Sequence, residues 1–66
     1  MNISIREYIK NNFKDSNETE IKKSIESSVD KDEEVLPGLG VLFELVWKNS
    51  SKDEKSKLID KLKDAF

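Results

Sequence analysis

Val35-Leu36-Pro37-Gly38-Leu39-Gly40-Val41-Leu42-Phe43-Glu44-Leu45-Val46-Trp47-Lys48-Asn49-Ser50 is the stretch on which the fold turns. Nine of the chain's 23 apolar residues lie between Val35 and Trp47, whereas Lys10 to Glu34 supplies only four. Its β-branched and aromatic residues suit a strand or a helix. As a strand it would have no second strand to pair with, and its backbone groups would go unsatisfied. As a helix, Val41, Leu42, Phe43, Leu45, Val46 and Trp47 sweep about 240° of the circumference. Glu44 and Lys48 then share the remaining slot, in the favourable Glu-before-Lys order. The helical reading prevails, over about 40–49. Leu36-Pro37-Gly38-Leu39 predicts a type II bend in front of it, with proline setting φ and Gly38 taking the positive φ. Gly40 then caps the helix or admits another backbone.

Working outward, each flank carries its own helix signals. Ser51 and Glu54 form a Ser-x-x-Glu capping box for a last helix over about 51–65, with Leu58, Ile59, Leu62, Ala65 and Phe66 on one face. Ser4 and Glu7 repeat that box at the other end. Ile3 and Tyr8 stand at the staple positions, and Ile5, Tyr8, Ile9 and Phe13 recur at helical spacing over about 4–13. Between them, Asn17 and Glu20 cap a second helix over about 17–32, whose apolar stripe is only Ile21, Ile25 and Val29. The charge run Asp30 to Glu34 opposes the macrodipole of that helix and favours stopping it. The expected fold is all-α, a small bundle of four short helices forming a single domain, 1–66.

Composition narrows the function. There are no cysteines and no histidines among the 66 residues, so neither disulfides nor an ordinary zinc site can form. No Asp-x-Asp-x-Asp-Gly loop offers calcium a hand. The absence of cysteine fits a cytosolic-type compartment. Twelve Lys and Arg stand against fourteen Asp and Glu, a net charge of −2 with the signs interspersed. Such a surface lacks the clustered basic face that nucleic acid demands, so no nucleic-acid partner is expected. The opening MNISIREYIK has no continuous apolar run of signal-peptide length, and no stretch approaches the ~20 residues of a membrane span.

No catalytic, cofactor-binding or metal-binding residues can be assigned. The serines have no histidine to activate them. Glu33 and Glu34 lie in an exposed charge run, with no enclosed setting that would make one an acid and the other a base. Gly38-Leu39-Gly40 lacks the Gly-Lys-Ser/Thr of a phosphate loop. Phe43 and Trp47 could form a base-stacking platform, but only Lys48 lies beside them, and the core reading is favoured. Ile21, Ile25 and Val29 read as the inner face of a bundle helix in preference to a partner-binding seam. Helix 3, apolar over most of its girth, needs cover on several sides: either a homodimer through its surface hides whichever of Phe43, Val46 and Trp47 stay exposed, or helices 1, 2 and 4 suffice to wrap it.

The stretch 35–50 also resembles the signature of the small acid-soluble spore protein I family. The match rests on the acidic approach Asp32-Glu33-Glu34, the Leu36-Pro37-Gly38-Leu39-Gly40 turn and the helix start Val41-Leu42-Phe43-Glu44. The helical layout agrees along the whole chain. This resemblance implies synthesis in the forespore during sporulation, residence in the spore core, and no enzymatic activity. The role it implies is structural, interactive or an amino-acid reserve. The alternative is a nucleic-acid-associated protein of spore chromatin, although the glycine-rich pattern of the DNA-coating spore proteins is missing.

Overall fold

The computed structural model describes residues 4–66, and within them the chain is helical with no strand. Helix α1 spans Ile5–Phe13, α2 Glu18–Ser28, α3 Leu36–Lys48 and α4 Lys52–Ala65, with a 3₁₀ turn at Glu33–Val35 leading into α3. The four expected helices are all present. The staple partner Ile3 lies outside the described residues.

Local capping chemistry fixes the starts of α1, α2 and α4. Asn17 Oδ1 accepts from the Glu20 N–H at 2.9 Å, and Glu20 Oε1 accepts from the Asn17 N–H at 3.3 Å. Ser51 and Glu54 exchange the same two bonds at 3.2 and 2.7 Å. At α1 the Ser4 hydroxyl accepts from the Glu7 N–H at 3.4 Å, the first half of its box. Each bond satisfies a donor that the first helical turn leaves free. At the far end of α3, Asn49 Nδ2 donates to the Leu45 carbonyl at 2.8 Å and Ser50 Oγ to that of Val46 at 2.6 Å. Both carbonyls also accept from the Asn49 backbone N–H at 3.2 Å, so the last turn of α3 is closed by backbone and side chain together.

Two expectations are corrected. The Pro37-Gly38 bend does not form, since no glycine has a positive φ and α3 already begins at Leu36. Proline falls in the first turn, where its missing N–H breaks no helical bond. What Gly38 supplies is proximity: a Cβ built there would stand 3.3 Å from Ile9 Cδ1. The second helix also stops at Ser28, four residues before the expected 32. Val29 is extended and Asp30 turns left-handed at φ 60°. Asp is among the few non-glycine side chains that visit that region readily.

The main helix pairing is α1 against α3, with Gly38, Val41 and Leu45 along one side of α3. Val41, 8% exposed, is the one buried apolar residue among those described. Other inward positions are half-buried. On α1 these are Ile9 and Phe13, while Ile5 and Tyr8 of the expected inner face stay exposed. On α2 the face turned inward runs Ile21, Ser24, Ser28, and the expected stripe partners Ile25 and Val29 are exposed. The accessible surface is 6052 Å², where a compact monomer of 7.6 kDa would expose about 4,300 Å². The radius of gyration is 13.1 Å, against about 11 Å for a compact domain of this length.

Candidate functional site: the open face of α3 and α4

On the side of α3 away from α1, the apolar sequence is not covered. Leu36 is 55%, Phe43 43% and Val46 49% exposed, and from α4 Ile59 and Leu62 lie exposed as well. Phe43, Glu44, Trp47, Ile59 and Leu62 border a shallow, largely apolar depression between the two helices. The Phe43 and Trp47 rings stand 6.1 Å apart between centroids and are tilted by 31°, a usual distance for an aromatic pair. Lys55 places Nζ 5.3 Å from the centroid of the Trp47 ring, a cation–π contact that occupies a face of the indole. A contiguous apolar surface of this kind is the usual mark of a contact site.

The expectation that Phe43 and Trp47 fill the core is therefore met only by half. Trp47 is half-buried under Lys55, and Phe43 faces outward. The outward Phe43 would suit a base-stacking platform, but its neighbour Trp47 is half-buried with Lys55 over one face of its ring. Local spacing does not reveal Lys55 as a neighbour of Trp47, because it lies across the α3–α4 connection.

At the edge of this depression Glu44 belongs to a charged clasp. Arg6 Nε donates to Glu44 Oε1 at 2.6 Å and Arg6 Nη2 to Oε2 at 2.7 Å, a bidentate pair tying α1 to α3. The hydrogen bonds from Arg6 hold the Glu44 carboxyl below its ordinary pKa, with smaller help from the charges of Arg6, Lys48 and Lys10. Glu44 in turn raises the Arg6 guanidinium, again chiefly through the hydrogen bond. Spacing alone pairs Glu44 with Lys48, four residues on. A planar two-point match from Arg6 takes the carboxylate instead. Pro37, Gly40 and Val41 line the shallow hollow beside this clasp.

A second opening lies between α1, α2 and α3, a cleft of about 430 Å³ bordered by Tyr8, Phe13, Ser24, Ser28, Leu39 and Leu42. It exists because α2 turns serines inward. The Ser28 hydroxyl donates back to the Ser24 carbonyl at 2.8 Å, so its proton is not free for a guest in the cleft. Glu33 and Glu34 stand exposed in the 3₁₀ turn at its edge. Among the described residues no group of three or more acidic side chains could hold a metal ion, and no helix is long and apolar enough to cross a membrane.

Comparison with known proteins places this architecture. The family model for "Small, acid-soluble spore protein I" matches residues 3–66. The chain belongs to the small, acid-soluble spore protein I family. Among curated relatives carrying that name, the protein of Halalkalibacterium halodurans is 41% identical over 63 residues, covering 94% of this chain and 93% of the relative. That of Geobacillus kaustophilus is 33% identical over 66 residues, covering 98% and 96%. That of Bacillus cereus strain G9842 is 33% identical over 63 residues, covering 94% and 91%. No solved structure matches the chain. Membership makes it a small protein of sporulation, and the resemblance carried by residues 32–44 holds along almost the whole sequence.

Proposed function

We infer that this spore protein works without catalysis, in the spore core, through contacts made by its folded surface. The observation that carries the reading is the open apolar face of Leu36, Phe43 and Val46 on a chain that buries only Val41 among its described residues. A polypeptide serving only as an amino-acid reserve has no need to hold such a face in order, with two complete capping boxes and a bidentate clasp. A chromatin role draws its affinity from phosphate neutralisation, and a −2 chain with interspersed charge offers little of that.

Titration of duplex DNA at low and at physiological salt tests the choice. Contact function through the apolar face predicts no saturable binding near physiological salt. Sub-micromolar duplex affinity there, falling steeply as salt rises, would replace it with the chromatin reading. Residence in the core is tested by stripping the coat from purified spores: the protein should remain with the stripped spores, and its loss with the coat fraction would overturn that placement.

A further inference from the structure

The exposed residues of α3 follow a heptad. Leu36, Leu39, Phe43 and Val46 are spaced 3, 4 and 3, which are the a and d positions of two heptads. Leu36, Phe43 and Val46 are exposed and Leu39 is half-buried at the rim of the cleft between α1, α2 and α3, so most of the stripe is an uncovered seam. We propose that a second copy of the same chain lies along it, its α3 antiparallel to the first, about a two-fold axis level with residue 41.

Four features single out a second copy. The seam is self-complementary under that axis: Leu36 meets the partner copy's d-position valine, and Leu39 meets its a-position phenylalanine, the a-against-d layering of antiparallel pairs. No seam or flanking position within α3 is charged, so identical surfaces meet without like-charge conflict. The ends do carry charge, and of opposite sign. Asp32, Glu33 and Glu34 stand exposed before α3, and Lys48 and Lys52 stand exposed beyond its seam. Antiparallel pairing lays the acidic end of each copy beside the basic end of the other and opposes the two macrodipoles. A parallel pair would set like charges together.

The third feature is Gly40. A Cβ there would meet nothing within 4 Å, so the fold of one chain gives no reason for a helix-interior glycine that costs about 1 kcal/mol against alanine. On the heptad it is the e position closest to the axis, where the two copies' glycines face each other and let the helices approach. Area is the fourth. Leu36, Phe43, Val46, Ile59 and Leu62 each expose 40–55% of their surface, so two copies with their rims bury on the order of 1,000 Å², enough for a specific but weak dimer.

Two measurements on the full chain test the pairing. Sedimentation equilibrium from ten to several hundred micromolar should show the mass climb from 7.6 kDa toward twice that value. Phe43→Glu, or Val46→Lys should the first lose helicity, should hold it at one chain. The second measurement uses the absence of native cysteine. Rising 1.5 Å per residue, the two Gly40 positions lie about 3 Å apart along the axis and the two Lys48 positions about 20 Å apart. Under mild oxidation Gly40→Cys should therefore form a disulfide dimer at least several-fold faster than Lys48→Cys. A single-chain mass over the whole range, a charged seam variant that still dimerises, or equal cross-linking at the two positions would each overturn the proposal.

Discussion

Replacing Gly38 and Gly40 by alanine separates packing from propensity on the same helix. Both residues lie inside α3 with negative φ, so neither substitution strains the backbone. Each should gain up to about 1 kcal/mol, from lower unfolded-state entropy and better helix propensity. At Gly40 the added methyl meets open space, so the gain should be nearly whole, about 0.5–1 kcal/mol. At Gly38 the methyl arrives 3.3 Å from Ile9 Cδ1, and the contact must loosen by a few tenths of an ångström. Its gain should be smaller, and Gly38→Val should turn it into a loss of about 1–3 kcal/mol by overpacking. Ile9→Val deletes the Cδ1 methyl, so Gly38→Ala should recover most of its gain in that background. Urea melts of all variants at a few micromolar protein supply the cycle. For a domain of this size 1 kcal/mol moves the thermal midpoint by about 4–8 °C, well within resolution. An identical effect of Gly38→Ala in the native and in the Ile9→Val background would remove Ile9 as its neighbour. A destabilising Gly40→Ala at low concentration would refute the open-space reading.

Further outcomes follow from single sites. Ser51→Ala should cost about 1 kcal/mol and lower the helicity of α4, checked by circular dichroism during a urea titration. Asp30→Gly should stabilise by about 0.5–1 kcal/mol in the same melts, because glycine takes a φ of 60° without steric penalty. Glu44 and Glu54 both have carboxyls held below their ordinary pKa, Glu44 by Arg6 and Glu54 by the Ser51 backbone and hydroxyl. Their contribution is whole above the unfolded carboxylate value of about 4.3 and is lost as pH falls through the lower folded values. Acid melts should therefore show stability declining below about pH 5, and Glu44→Gln should flatten part of that decline.

What the residues disclose and what they withhold divides by distance along the chain. The capping boxes at Asn17–Glu20 and Ser51–Glu54 are legible because every partner lies within three residues. The start of α3 is not. Pro37-Gly38 suits a type II bend as well as a first helical turn, and a residue before proline ordinarily avoids the helical region, yet Leu36 is helical at φ −61° and ψ −40°. Contact with Ile9, distant in sequence, explains the glycine. The Arg6–Glu44 clasp spans 38 residues and leaves no local trace. Spacing marks Ile21, Ile25 and Val29 as one stripe, but it does not say that Ser24 and Ser28 turn inward in place of two of them. The shortage of apolar residues outside α3 is countable in the sequence itself, and the open face is its consequence.

The concentration dependence of the thermal midpoint tests that consequence most directly. If a second copy covers the face, folding and association are linked, and the midpoint should rise by on the order of 5–10 °C between about 5 and about 500 µM. A midpoint constant over that hundredfold range would mean that one chain is complete with its apolar face in water, and would contradict the account.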